Sequence, residues 1–359
     1  MEKPGVTTAI VGGRALVGKD LEPVDSATVV IRNDVILAVG ASAEIEPPED
    51  AEVVDATGFT LMPGFIDSHV HIGMAKPLEV LRGGVTTVRD LAWPPQAIWP
   101  LSAESKSADW QGPEILAAGQ MLTVPDGYPL QAPWAPGDTG RAIRSTDEAR
   151  EAVDEQAGSG SCVIKVALND LVGPTIGKGT LAAIVEAAHA RGLRVTGHVY
   201  GLGELHKAID VGMDELAHML MSPEPIPVAT VKRMVSAQMT IVPTLSCFFG
   251  KDQTIAIENT RAFIAAGGHL IYGTDLGNEG PRPGIDPREV DGLARAGLGG
   301  SDIVAAATTR AAEHLCLTDR GALARGLLAD VAAVLWVPGG DPIELTQVGM
   351  VWRRGRRVG

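Results

Sequence analysis

Short runs of apolar, β-branched residues separated by polar turns mark the start of the chain. Residues 28–31 and 35–39 are two such runs, joined by Arg32-Asn33-Asp34, and 52–55 is a third, closed by Ala56-Thr57-Gly58. β-Branched side chains fit a pleated surface and Asn, Asp and Gly supply turn conformations, so 7–57 reads as a small β-sheet. From Leu61 the rhythm changes. Strand-like runs at 61–71, 85–91, 114–119, 162–167, 193–199, 213–218, 240–244 and 269–275 alternate with stretches of helical period. The clearest helix is 180–191, where Leu181, Ile184, Val185 and Ala188 share one face and Gly192 stops it; 148–157 and 260–266 behave similarly. Eight alternating units predict a (β/α)8 TIM-like barrel inside a ring of helices. After about residue 318 the pattern returns to strands, at 330–337 and 347–353, which are expected to join the first sheet. The expected organisation is α/β: a barrel over 63–320, with a small β-sandwich domain built from both chain termini, 1–62 and 321–359.

Several of these runs end in side chains that can bind metal. Strand residues alternate faces, so His69 and His71 in Phe65-Ile66-Asp67-Ser68-His69-Val70-His71 point the same way and can grip one ion. Lys165 sits in Val163-Ile164-Lys165-Val166, His198 ends Val195-Thr196-Gly197-His198, His218 ends Glu215-Leu216-Ala217-His218, and Asp275 ends Ile271-Tyr272-Gly273-Thr274-Asp275. In parallel barrels chemistry gathers at the C-terminal strand ends, where each of these lies or nearly lies. Each also has a plainer explanation. His198 and His218 could be satisfied core histidines, Asp275 a turn or helix-capping aspartate, and Lys165 a lysine paired with an acidic neighbour. Two stretches rich in Pro and Gly, 123–144 and 277–287, follow the third and eighth strands and are expected to overhang the barrel mouth as substrate walls.

Composition changes this picture little. The chain has 359 residues, 45% hydrophobic and 21% charged, ordinary for a soluble globular protein. A net charge of −14 argues against nucleic acid as a partner. The basic end, Arg353 to Arg357, reads as a solvated strand end rather than a nucleic-acid tail. Three widely spaced cysteines imply neither a disulfide framework nor a zinc knuckle, and Cys162 reads as a core thiol. No signal peptide is evident and no apolar run is long enough to cross a membrane, so a cytoplasmic protein is the default. Whether it forms a homo-oligomer is open.

Taken as a set, the motifs resemble those of the amidohydrolase superfamily. The stretch from Pro63 to His71 resembles that family's first-strand signature, Gly84-Val85-Thr86-Thr87-Val88-Arg89-Asp90 its second strand, and Ala188 to Val195 followed by His198 its fifth. Gly326-Leu327-Leu328-Ala329-Asp330 is similar to its return to the sheet domain. The likeness covers nearly the whole chain and is strongest to imidazolonepropionase-like and prolidase-like members, with Lys165 similar to their carbamylated lysine. Two departures are the short loop His71-Ile72-Gly73-Met74-Ala75-Lys76 and Gly197 before His198, where Ala is frequent; neither removes a ligand.

The resemblance implies two divalent metal ions. His69, His71 and Asp275 would hold one, His198 and His218 the other, and Lys165, as a carbamate, would bridge them. Zinc suits the histidines; manganese, cobalt or iron also fit. It further implies a hydroxide activated by both metals, Asp275 moving its proton, and hydrolysis of an amide, dipeptide-like or N-acyl amino acid, or of a related cyclic or carbonyl bond. Burial independently argues for the carbamate: an unpaired lysine in an apolar strand loses its charge, and a neutral amine can add CO2. Tyr200, just past His198, could bond the developing oxyanion or a substrate carboxylate, or simply pack. For Arg141, Arg144 and Arg282 solvation is preferred over substrate contact. The rivals are a single-metal deaminase or cyclic-amidine hydrolase, which needs no bridging lysine, and a non-catalytic barrel scaffold, which would usually have lost ligands.

Overall fold

Strand pairing sorts the chain into three sheets. In the computed structural model, which describes residues 6–220, 222 and 224–359, the first sheet draws strands from both ends of the sequence. Its order is Arg356–Arg357, Val348–Arg353, Val331–Val334, Thr60–Pro63, Thr7–Val17, Glu22–Arg32 and Val35–Ala41, with Glu52–Asp55 also paired to Thr7–Val17. One face buries Ile10, Val29, Ile31, Ile36, Leu61, Val331 and Trp352 as a core of its own. Residues 1–5 of the expected 1–62 segment lie outside the described residues.

The other two sheets are parallel. One holds Phe65–Val70, Val85–Asp90 and Glu114–Ala117; the second runs Gly140–Ala142, Met121–Thr123, Ile164–Leu168, Val195–Val199, Glu215–Leu216, Thr240–Ile241 and His269–Leu270. Helices such as Lys178–Ala190, Gly201–Asp210 and Gly250–Ala265 connect successive strands, as parallel pairing requires. The two sheets are not joined by paired strands. A few backbone bonds cross the gaps: Cys162 N–H donates to Ala117 O (2.9 Å) at one, and Ser68 N–H to Tyr272 O (3.0 Å), Asp275 N–H to His69 O (2.8 Å) and His71 N–H to Leu276 O (2.7 Å) at the other.

Four expectations change at this level. The run 61–71 is two strands in two different sheets, separated at Gly64. A Cβ there would lie 2.3 Å from Thr86 Oγ1, so only glycine lets the chain pass from one sheet to the other. The stretch read as an irregular loop, 123–144, contains the short strand Gly140–Ala142, and the helix expected at 260–266 begins as early as Gly250. Nor do the terminal arginines all face water. Arg353 is buried and donates to the Ser107 and Ser105 carbonyls, while Arg354 pairs with Glu114 at 3.1 Å. Both pin the C-terminal hairpin to the parallel-stranded region. No helix among the described residues is long and apolar enough to cross a membrane.

A charged network plugs the parallel-stranded core. Arg89 donates to Glu215 (2.7 and 3.2 Å) and to the Ser68 carbonyl (2.7 Å), and Glu215 also accepts from Thr196 Oγ1 (2.6 Å) and His314 Nε2 (2.7 Å). Such burial is tolerable only because every charge is paired and hydrogen-bonded.

Candidate metal and active site

His69, His71, Lys165, His198, His218 and Asp275 all line one cavity of about 580 Å3. Two hydrogen bonds aim the first pair of imidazoles. His69 Nδ1 contacts the Ala217 carbonyl at 2.6 Å and His71 Nδ1 the Ala92 carbonyl at 3.0 Å. A carbonyl accepts only, so each Nδ1 carries the proton and each Nε2 presents a lone pair to the cavity. Both Nε2 atoms then lie 3.3 Å from Asp275 Oδ1. His218 stands against His69 with ring centroids 4.6 Å apart, and His198 against His218 at 4.9 Å. His218 Nδ1 meets Thr244 Oγ1 at 2.9 Å, and His198 Nε2 receives the Asn169 amide at 3.1 Å.

The carboxylate is held by its own strand end. Asp67, buried on the strand Phe65–Val70, accepts from Thr274 Oγ1 (2.6 Å), Thr274 N–H (3.1 Å) and His69 N–H (3.1 Å), tying the segments that carry His69 and Asp275 together. Gly273 permits that approach, since a Cβ there would lie 2.4 Å from Val242 Cγ1 and 2.9 Å from His69 N. Asp275 itself has φ of +63°, a left-handed conformation that non-glycine residues adopt at some strain, typically where function over-determines the backbone.

Electrostatics favour the neutral imidazole at His69, His198 and His218. Burial holds the His69 and His218 imidazoles well below their usual pKa, with Lys165 and neighbouring histidines adding to it; burial and Lys165 take His198 down to about 3. For His71, burial opposes the charge but the Asp275 carboxylate outweighs it, and the pKa rises. Lys165 is fully buried, and burial takes its ammonium down to about 7.

The donor set fits divalent cations. His69 Nε2, Asp275 Oδ1 and Lys165 Nζ are buried with no hydrogen-bond partner, which is expensive unless something else satisfies them. His69, His71 and Asp275 offer donor atoms all within 4.8 Å of one another, and so do His218, Cys247 and Asp275.

Sequence reasoning did not anticipate several contributors. Cys247 reaches the cavity from a turn that begins at Thr244, itself left-handed at φ +48°. Tyr128 stacks on His198 (4.6 Å, 26°), Trp134 covers His71 (4.7 Å), and the Trp134 indole donates to the Tyr128 hydroxyl at 3.0 Å. Both rings belong to the Pro- and Gly-rich stretch 123–144, whose place after the third strand pointed toward that wall, but no signal paired them with His198 and His71. Tyr200 does not line the main cavity. It lines an adjacent chamber of about 250 Å3 that shares Cys247 and Phe249 with it.

Comparison with known proteins gives the family. The profile of the amidohydrolase family matches residues 60–358. An uncharacterised protein of Mycobacterium tuberculosis is 26% identical over 348 residues, covering 88% of this chain and 89% of its own. Imidazolonepropionase of Deinococcus deserti is 30% identical over 185 residues, 49% of this chain and 44% of that enzyme. Among solved structures, a Xaa-Pro dipeptidase with methionine bound in its active site superposes with a TM-score of 0.84 at 22% identity, covering 98% of this chain and 99% of that one. With the family profile matched from the last strand before Gly64 almost to the C-terminus, this chain belongs to the amidohydrolase family, whose members are metal-dependent hydrolases of carbon–nitrogen bonds.

Proposed function

We propose that the chain is a binuclear metal hydrolase of an amide, dipeptide-like or N-acylated, or of a related cyclic or carbonyl bond. The observation that carries the reading is Lys165: a fully buried amine with no partner, lining the same cavity as four imidazoles and a carboxylate. As a carbamate it becomes an oxygen donor and the burial conflict disappears. A single-metal deaminase would have no use for it. In this reading His69, His71 and Asp275 would hold one cation and His198 and His218 the other, with carbamylated Lys165 as a ligand to both; zinc would suit the donors best, with manganese, cobalt or iron as alternatives. At His198 a cation would take the place of the Asn169 hydrogen bond. The two parallel sheets are then arcs of one (β/α)8 barrel over 63–320, and the terminal sheet is a β-sandwich domain formed from 1–62 and 321–359.

When bound, the cations would lower the pKa of water toward neutrality and polarise the scissile carbonyl. The protein's own groups do the rest. The Ala217 and Ala92 carbonyls fix which nitrogen of His69 and His71 faces inward. Asp275 Oδ1, buried and unpartnered, takes up a proton and returns it to the leaving nitrogen. Tyr128 and Trp134 roof the site and exclude water. Tyr200, in the side chamber, bonds the far end of a longer substrate. The test is metal analysis together with a hydrolysis screen of blocked dipeptides, N-acyl amines and lactones on metal-loaded protein. The reading expects close to two ions per chain and turnover of amides; one ion per chain, or deamination without amide cleavage, overturns it.

A further inference from the structure

The charges around the cavity narrow the substrate class within that reading. Two carboxylates, Asp126 and Glu279, lie on its rim, both exposed and neither paired with a cation among the described residues. Tyr128, Trp134 and Phe249 supply aromatic wall. Lys165 is the only lysine or arginine among the described residues that lines the cavity, and in the reading above its charge is converted to a carbamate. Three nearby arginines are committed elsewhere, and Arg282, exposed and without a side-chain partner among the described residues, does not line the cavity. Arg141 pairs with Glu155 and Arg144 with Glu148, and neither lines the cavity. Arg288 lies over the Phe249 ring at 4.6 Å and donates to the Phe248 carbonyl at 3.1 Å.

The non-reacting end of a substrate lies away from the cations at the scissile bond, so a carboxylate there would shed water beside Asp126 and Glu279 and meet no guanidinium or ammonium. Desolvating an anion without a counter-charge is costly, and like charges at the entrance reject it further. An aromatic or ammonium group instead meets ring faces and unpaired carboxylates, where stacking and cation–π attraction are favourable. The overall charge of −14 acts in the same direction at long range. We infer that the site takes amides whose non-reacting end is an aromatic or apolar group that is neutral or positively charged, and that it rejects dipeptides and N-acyl amino acids bearing a free carboxylate. This rests on the proposed hydrolytic reading and restricts it.

The experiment compares three matched probes on zinc-loaded full-length protein: N-acetylphenylalanine, N-acetylphenylalaninamide and the 2-aminoethylamide of N-acetylphenylalanine. Calorimetry measures affinity without requiring turnover, and kcat/KM is measured in parallel. The neutral and cationic probes should bind about tenfold or more tighter than the anionic one. In the Asp126→Asn/Glu279→Gln double variant, whose changed side chains are exposed, the gap between cationic and anionic probes should shrink about threefold or more. N-acetylphenylalanine binding as tightly as the other two, an unchanged gap in the double variant, or no binding of any probe below about 10 mM overturns the inference. Failure of the hydrolytic reading is distinguishable, since it appears as missing metal and absent hydrolysis whatever the order of the three affinities.

Discussion

Replacing Arg89 by Met would show how far the buried charge network holds the strands that carry the candidate ligands. Arg89 is 1% exposed and Glu215 is 0% exposed. Two guanidinium nitrogens contact the Glu215 carboxylate at 2.7 and 3.2 Å, and a third donates to the carbonyl of Ser68, the residue beside His69. Methionine fills the space but leaves Glu215 buried without its strongest partner and the Ser68 carbonyl bare. Removing one member of a buried ion pair costs about 3–5 kcal/mol. Unfolding 359 residues carries an entropy of about 0.75 kcal/mol/K, so a loss of about 4 kcal/mol lowers Tm by about 5 °C. The pH dependence has a definite sign. Burial alone would raise the Glu215 carboxyl, but the Arg89 charge and the His314 hydrogen bond outweigh it and hold it well below the usual range. The native carboxylate therefore stabilises the fold above the unfolded-state pKa, and that contribution fades only as pH falls through the depressed value. In Arg89→Met, burial dominates and the folded pKa rises. The deficit is then full at pH 7–8 and shrinks as pH falls toward about 4.3. Thermal midpoints at one scan rate, at pH 7.5 and pH 5, measure both effects in chelator-treated protein. A midpoint unchanged at pH 7.5, or a deficit that widens toward pH 5, would refute the reasoning.

Three further outcomes are expected. Asp275→Asn should keep the fold, because Asn tolerates the left-handed backbone at φ +63°, while hydrolysis falls by about 10²–10⁴; circular dichroism and a turnover assay separate the two, and an active variant removes the proton-transfer role. Lys165→Ala should bind fewer metal ions by elemental analysis, and full occupancy in that variant would eliminate the carbamate bridge. Glu289, buried, with Oε2 accepting from the Ser246 N–H at 2.8 Å, has its carboxyl raised to about 8 by burial. A folded pKa above the unfolded one means stability is lost as pH rises from about 4.3 toward 8. The Glu289→Gln variant keeps an acceptor but cannot ionise, so its Tm should fall less than the wild type's between pH 6 and 8; parallel curves would contradict this.

Much of the site was legible because its signals are local. Apolar runs of strand length alternate with 3.6-residue periodicity, which indicates parallel strands with intervening helices, and ligand-type residues sit at or near the ends of those runs. Spacing within Ser68-His69-Val70-His71 is enough to turn two imidazoles the same way, and both now face Asp275. The burial of Lys165 and the lowered pKa that comes with it follow from its apolar neighbours.

Other features depend on which distant segments meet. Glu215 finds Arg89 across 126 residues and His314 across 99, and no local pattern announces either pairing. Cys247 reaches the cavity because Thr244 turns the chain left-handed, and Tyr128 and Trp134 roof it because their loop folds back over His198 and His71. Tyr200, adjacent to His198 in sequence, lines the neighbouring chamber instead, since the chain leaves its strand there and enters a helix at Gly201. The sequence by itself determined the element types, the family and the candidate donors, because periodicity and side-chain chemistry are properties of neighbouring residues. Tertiary structure alone decided the cavity's walls, its acidic rim and the pairing of its buried charges, because these depend on strand register and loop path between residues far apart in the chain.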